Sequence, residues 1–275
     1  MYKIYSYAFL HLLTVLSNEI LYILKIYDII VVDVVILKIK IRNLDINYIQ
    51  YGSGSDILLL HGWGQNIEMM RPLGDNLCSN HRITIVDFPG FGLSSEPDYP
   101  WSINDYVLFL EEFIKEVGIK RPTIMGHSFG GRVAIAYSAD HTIEKLVLFG
   151  SPCIRNDSHV PLSVKILKSL KKIPGMNGIS EIMKKYIGSD DYKAASPMMR
   201  KVLVNVVNED LSNYAKKIEE PTLLIWGDKD TAAPVEDARV LEKIMIDAAL
   251  IVLPGTHYVY LECLPQVIRI LESFI

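Results

Sequence analysis

Hydrophobic and polar positions follow two patterns after position 37. Residues 38–52 alternate apolar and polar side chains around a turn, which is typical of antiparallel strands with one buried face. Later runs are continuously apolar, as parallel strands covered on both faces are: DILLLHG, RITIVDF, RPTIMGH, EKLVLFG, PTLLIWG and ALIVLPG. Stretches with helical periodicity, such as INDYVLFLEEFIKEVG, separate these runs. The alternation predicts an α/β protein with a mainly parallel sheet flanked by helices.

One interval interrupts the alternation of strands and helices. Residues 153–219 show helical patterns and turn residues but no clear strand, so they are interpreted as an insertion between core segments 38–152 and 220–275. The insertion carries 12 Lys or Arg against 7 Asp or Glu. Solvated helix faces explain this excess, and an anionic ligand would also suit it.

The first 37 residues form a very apolar extension that Glu19, Lys25, Asp28 and Asp33 interrupt. Its longest uncharged run, residues 4–18, is too short to span a bilayer as a helix. The polar residues fall near one helical face, as in a helix that packs on protein or lies at a membrane interface. An export signal and a misassigned start are further interpretations of this segment.

Composition narrows the function classes. The chain has 275 residues, half of them hydrophobic, a net charge of -4 and a pI of about 6.0, so it is expected to bind a small-molecule substrate and no nucleic acid. Its three cysteines are widely spaced and match no disulfide framework or zinc pattern. We therefore expect a cytoplasmic location, with membrane contact through residues 1–37 as the alternative. No cofactor and no metal ion is expected.

The string GHSFGG, residues 126–131, places Ser128 at a sharp passage from an apolar strand into a helix. Such a turn exposes the hydroxyl above the sheet, and the N–H of Phe129 at the helix start can face a developing oxyanion. A serine hydroxyl attacks a carbonyl only when a base takes its proton and a carboxylate orients that base. His257 follows one later strand, and Asp228 and Asp230 follow another.

Spacing alone does not separate the two aspartates, but Asp230 lies farther into the loop, and Asp228 is expected to brace that loop. His61, in LLLHGWGQN, is expected to brace its own loop, and the N–H of Trp63 is the candidate second oxyanion donor. His127 is expected to point away from the Ser128 hydroxyl.

Five matched strings resemble the α/β-hydrolase family, of the group with a small helical cap: HGWG (61–64), DFPGFGLS (87–94), GHSFGG (126–131), GDKD (227–230) and GTH (255–257). The resemblance implies Ser128 as nucleophile, Asp230 as acid and His257 as base. It also implies Trp63 and Phe129 as oxyanion donors, and a cap made by residues 153–219. The DFPGFGLS loop is expected to be structural, because Asp87 has no derivable role in acyl transfer.

These residues predict a serine hydrolase. Family members that hydrolyse epoxides or haloalkanes carry Asp at the nucleophile position, so Ser128 argues against both activities. Cleavage of a carboxylic ester or related acyl bond through an acyl-enzyme is the first hypothesis. Carbon-carbon hydrolysis of a dienoic diketone acid and a ligand receptor without turnover are the alternatives.

Overall fold

The computed structural model describes residues 36–153 and 193–275. The predicted extension 1–37 therefore lies outside the described residues except for its last two positions, and so does most of the predicted cap. The strands are β1 Ile36–Ile41, β2 Leu44–Gly52, β3 Ser55–Leu60, β4 His81–Val86, β5 Thr123–His127, β6 Lys145–Phe149, β7 Thr222–Gly227 and β8 Ala248–Leu253. The helices are α1 Ile67–Leu77, α2 Ile103–Val117, α3 Phe129–Ser138, α4 Pro197–Asn208, α5 Ser212–Ala215, α6 Val235–Ile244, α7 Val259–Glu262 and α8 Leu264–Phe274.

The strands form one eight-stranded sheet in the order β1-β2-β4-β3-β5-β6-β7-β8. β1, β2 and β4 pair antiparallel, whereas β4 pairs parallel with β3 and every pair from β3 to β8 is parallel. The predicted fold class, a mainly parallel sheet flanked by helices, is confirmed, as is the antiparallel pairing of the first two strands.

Burial explains why the central strands are continuously apolar. Every residue of β5 and of β7 is buried, since helices cover both faces of the sheet there. β8 lies at the edge of the sheet and is largely part-exposed. The helices have clear local signals: at α2, Ser102 and Asp105 form a reciprocal capping box, and Gly118 ends the helix in the left-handed conformation.

The topology places the loops that carry the candidate residues along one edge of the sheet. The segments after β3, β4, β5, β7 and β8 all leave the carboxyl ends of strands, where open α/β sheets bind ligands. Between β6 and β7, the described residues contribute α4 and α5. The helical cap at 153–219 stays a prediction, because residues 154–192 lie outside the described part of the chain.

In the ranges 36–153 and 193–275, no helix combines the length and hydropathy that crossing a bilayer requires.

Candidate active site

Ser128 occupies a strained turn between β5 and α3. Its φ of 50° and ψ of -112° define a backbone conformation that residues with a side chain rarely adopt, and this conformation costs about 1–3 kcal/mol. The backbone N–H of Ser128 donates to the Phe149 carbonyl at 2.9 Å, which holds the turn against the end of β6. A Cβ on Gly130 would lie 2.3 Å from the Leu60 carbonyl oxygen, and one on Gly131 would lie 1.8 Å from Ser151 Oγ. The sequence therefore needs glycines here so that the helix can approach the sheet.

His257 and Asp230 form a hydrogen-bonded pair. The distance from Nδ1 to Oδ2 is 2.8 Å, and the Asp230 side chain is fully buried while that of His257 is 17% exposed. The other carboxylate oxygen of Asp230 accepts the N–H groups of Ala232 and Ala233 at 2.9 and 2.8 Å. Because a carboxylate accepts the Nδ1 proton, Nε2 of the neutral ring carries a lone pair and is suited to act as a base.

Asp228 has a different environment from Asp230. Its Oδ1 accepts the N–H of Gly255 at 3.0 Å, which joins the loop after β7 to the loop after β8. Thr256, next along that loop, donates both its N–H and its hydroxyl to Glu262, each at 2.6 Å. Asp228 therefore braces the loop that carries His257, as expected, and the carboxylate that reaches His257 is that of Asp230.

The structure places Ser128 beside this pair without a direct hydrogen bond. Among the described residues, no hydrogen bond joins the Ser128 hydroxyl to His257. Proximity follows from their neighbours: the ring of His127 lies 4.8 Å from that of His257. A Cβ on Gly150, the residue after β6, would lie 3.0 Å from both His257 Nδ1 and Asp230 Oδ2. In hydrolases, the hydrogen bond between a nucleophile and its base is often long before substrate binds and tightens in the complex.

The side chains of the two candidate oxyanion donors pack against each other. The rings of Trp63 and Phe129 pack edge to face with centroids 5.5 Å apart, although 65 positions separate the two residues. Phe129 is the first residue of α3, where backbone N–H groups lack an intrahelical acceptor. Neither the Trp63 N–H nor the Phe129 N–H has a hydrogen-bond partner among the described residues.

His61 is fully buried and has both ring nitrogens occupied. Its Nε2 accepts the Phe88 N–H at 3.0 Å, and its Nδ1–H donates to the Gly62 carbonyl at 2.7 Å. Burial lowers the pKa of His61 to about 4, so the ring is neutral near pH 7. The expected loop-bracing role of His61 is confirmed.

Asp87 holds its loop together rather than facing the candidate site. Its carboxylate accepts the side-chain N–H of Asn47 at 2.7 Å and the backbone N–H groups of Ile67 and Leu93 at 2.8 and 2.9 Å. A Cβ on Gly92, whose φ is +55°, would lie 2.1 Å from this carboxylate. Asp87 thus joins β2, the start of α1 and the DFPGFGLS loop, which is the structural role expected.

Two residues that contact the candidate site or its helix were not identified from the sequence. Gln65 Oε1 accepts the Gly62 N–H at 2.9 Å and lies 3.2 Å from His127 Nδ1. Arg132, buried in α3, donates to the carbonyls of Pro152 and Val206, so it ties the helix after Ser128 to the residue before the predicted insertion and to α4 within it. A charged residue inside the apolar run GRVAIAY is a signal that could have revealed Arg132; Gln65 offered no comparable signal.

A cleft of about 380 Å³ opens beside the loop that carries Trp63. Aromatic and apolar side chains line it, among them Trp63, Phe91 and Met199, together with the carboxylate of Glu96. A larger cleft of about 620 Å³ is lined by Ser55, Arg82 and Thr123, which lie at or next to the first residues of β3, β4 and β5. It therefore lies at the amino ends of the strands, opposite to the candidate site, whereas the smaller cleft adjoins Trp63, a candidate oxyanion donor.

Comparison with known proteins agrees with this geometry. Residues 57–269 match the model of the alpha/beta hydrolase family. A pimeloyl-[acyl-carrier protein] methyl ester esterase of Nitrosospira multiformis is 28% identical over 76% of this chain and 89% of its own length. A 2-hydroxy-6-oxo-6-(2'-aminophenyl)hexa-2,4-dienoic acid hydrolase of Metapseudomonas resinovorans is 24% identical over 80% of this chain and 83% of its own.

Among solved structures, an esterase of Exiguobacterium antarcticum superposes with a TM-score of 0.70 at 24% identity, covering 86% of this chain and 98% of that one. The family match spans most of the chain, and the relatives are named as esterases and hydrolases. The chain therefore belongs to the alpha/beta hydrolase family and is a hydrolytic enzyme.

Proposed function

We propose that this enzyme hydrolyses a carboxylic ester, or a related acyl bond, of a small and partly apolar substrate. The observation that carries the proposal is the 2.8 Å bond between His257 Nδ1 and buried Asp230, formed beside the strained turn of Ser128. This bond fixes the histidine tautomer whose Nε2 can accept a proton. The two available N–H groups of Trp63 and Phe129 supply the second requirement of acyl transfer.

The proposed reaction begins when His257 Nε2 takes the proton of the Ser128 hydroxyl as Oγ attacks the substrate carbonyl carbon. The N–H groups of Trp63 and Phe129 stabilise the negative oxygen of the tetrahedral intermediate. The intermediate collapses, the protonated His257 gives its proton to the leaving alcohol, and the acyl group stays on Ser128. A water molecule, deprotonated by His257, then releases the acid by the same steps in reverse.

The charge of Glu96 in the cleft beside Trp63 favours a neutral ligand over an anionic one there. The described residues that line the 380 Å³ cleft include the carboxylate of Glu96, which accepts the Ser196 hydroxyl at 3.0 Å, and include no Lys or Arg. An anionic diketone acid would meet repulsion there, whereas a neutral ester would not. The dienoic acid hydrolase relative supports carbon-carbon cleavage as the second candidate.

The test combines a serine-directed probe with turnover. We expect the wild-type enzyme to be labelled by a fluorophosphonate and to hydrolyse p-nitrophenyl esters over many turnovers, which a ligand receptor would not do. Ser128→Ala removes the nucleophile and is expected to lower kcat by about 10⁵-fold or more and to abolish labelling. Ser138→Ala is the matched control, because it removes another hydroxyl from the same stretch of chain, at the far end of α3.

Persistent labelling of folded Ser128→Ala would contradict the proposal. Faster hydrolysis of a dienoic diketone acid than of any ester in a panel of acyl lengths would instead establish the second candidate.

We also propose that the catalytic core acts without residues 1–37, because every matched string lies after them. Deleting these residues is expected to leave ester hydrolysis unchanged. Binding of the full chain to liposomes that disappears on deletion would assign the segment to a membrane interface.

A further inference from the structure

His127, the residue before Ser128, is buried between the two loops that the proposed mechanism uses. Its side chain is inaccessible to solvent, and its Nε2 lies 3.0 Å from the backbone carbonyl oxygen of His257. On the other side of the ring, Nδ1 lies 3.2 Å from Gln65 Oε1. One imidazole therefore contacts the loop of the proposed base and the loop of a proposed oxyanion donor.

Hydrogen-bond chemistry decides which nitrogen of His127 carries the proton. Both facing oxygens can only accept, and a neutral imidazole has a single N–H. Gln65 Oε1 already accepts the Gly62 N–H at 2.9 Å, and the distance to the His257 carbonyl is the shorter of the two. The Nε2–H therefore donates to the His257 carbonyl.

The ring is neutral because burial, together with the nearby charge of a protonated His257, lowers the pKa of His127 to about 3. The tyrosine rings of Tyr258 and Tyr260 lie 5.5 and 4.8 Å from the His127 ring. A neutral His127 can hold the His257 backbone without opposing the positive charge that His257 acquires in the reaction.

Packing around His127 also supports a specific role for its hydrogen bond to the His257 carbonyl. A Cβ on Gly62 would lie 2.7 Å from His127 Nδ1, so the loop before Trp63 can approach the ring only because residue 62 is glycine. A buried polar ring also costs free energy that an apolar side chain of the same shape would avoid, unless its hydrogen bonds offset that cost.

We infer that His127 is a positioning residue for His257: its Nε2–H fixes the backbone from which the proposed base projects, and thereby sets the base relative to the adjacent Ser128. The inference rests on the proposed function, because it requires His257 to act on the Ser128 hydroxyl. His127 is inaccessible to solvent and contacts the backbone of His257, so its loss is expected to alter kcat and to leave KM nearly unchanged.

The test compares three replacements of His127 in the full-length enzyme. His127→Phe keeps a ring but removes the donor, and His127→Asn keeps an amide that is too short to reach the carbonyl. Both are expected to lower kcat by about 10- to 100-fold with KM within about twofold, since a displacement of about 1 Å in a catalytic group has effects of this size. His127→Gln, whose amide N–H can occupy the position of Nε2, is expected to restore kcat to within about threefold of wild type.

Tyr258→Phe is the matched control, because it changes a ring that contacts His127 without removing the bond to His257. The inference is wrong if His127→Asn, folded by its circular dichroism and thermal midpoint, retains wild-type kcat. It is equally wrong if His127→Gln and His127→Phe lose the same activity. Failure of the proposed function is distinguishable, because the wild-type enzyme would then show neither fluorophosphonate labelling nor ester turnover.

Discussion

Two regions of this enzyme bring an aspartate and a histidine to the carboxyl edge of the same sheet, yet their chemistry differs. After β7 and β8, Asp230 binds His257, whose side chain keeps 17% of its surface exposed. After β3 and β4, His61 and Asp87 lie within one loop system, but each is fully satisfied by other groups. Both ring nitrogens of His61 are bonded to backbone, and the described partners of Asp87 are N–H donors from three segments.

The comparison shows that residue type does not by itself identify a catalytic histidine. His257 retains one nitrogen without a partner among the described residues, and a buried carboxylate sets the proton on the other nitrogen. His61 has no such nitrogen, and its burial keeps the ring neutral. A base needs an accessible lone pair and a partner that stabilises its cation, and only the region around His257 provides both.

The largest expected difference between the two regions is catalytic. Asp230→Asn is expected to lower kcat by about 10³- to 10⁴-fold, because an amide no longer selects the useful tautomer of His257 or stabilises its cation. Steady-state kinetics with a p-nitrophenyl ester and the thermal midpoint measure the effect. A folded Asp230→Asn enzyme with kcat within tenfold of wild type would remove the distinction between the two aspartates.

Stability below neutral pH tests the region of His61. The pKa of His61 is about 4 in the folded protein, against about 6.5 for an unperturbed histidine, so between these values the unfolded chain binds a proton that the folded chain does not. The neutral, buried His61 therefore contributes fully to the free energy of unfolding above pH 6.5. This contribution is lost as pH falls toward 4, by about 2 kcal/mol between pH 7 and pH 5. Urea unfolding at both values should show a smaller loss for His61→Gln than for wild type.

Asp87 should affect stability more than catalysis. Asp87→Asn places an NH₂ group against N–H donors that the carboxylate now accepts, and we expect unfolding to become easier by about 2 kcal/mol. Urea denaturation measures this loss, and kcat should change by less than about fivefold at a temperature where the variant is folded. A fall in kcat comparable to that of Asp230→Asn, with unchanged stability, would place Asp87 in the catalytic apparatus.

The smallest expected effect concerns Asp228, which lies only two residues from Asp230 and is expected to have a structural role instead of a catalytic one. Asp228→Asn keeps an oxygen that can accept the Gly255 N–H, so we expect a loss of about 1 kcal/mol or less in stability and less than about tenfold in kcat. We would measure kcat and the thermal midpoint of Asp228→Asn and of Asp230→Asn under the same conditions. The assignment of the two aspartates must be reversed if Asp228→Asn shows the larger loss of kcat.

Much of the fold follows from local patterns in the chain. Continuous apolar runs predicted the buried strands β3 to β7, and alternation predicted β1 and β2. This works because the order of apolar and polar residues along a strand reflects which of its faces are buried. The GHSFGG string likewise predicted the turn at Ser128, since the required close approach admits only glycine at neighbouring positions. The chain order Ser128, Asp230, His257 was also visible, and their catalytic roles remain predictions.

Partnerships between side chains could not be predicted in this way. Seven histidines occur in the chain, and no local signal shows that His127 contacts the backbone of a residue 130 positions later. Arg132 is a similar case, because its acceptors lie on segments that only folding brings to α3. The sequence by itself determined which segments become strands, helices and tight turns, since burial and backbone freedom are properties of neighbouring residues. Only the tertiary structure decided which polar atoms are satisfied and which stay available, because those partners come from segments distant in the chain.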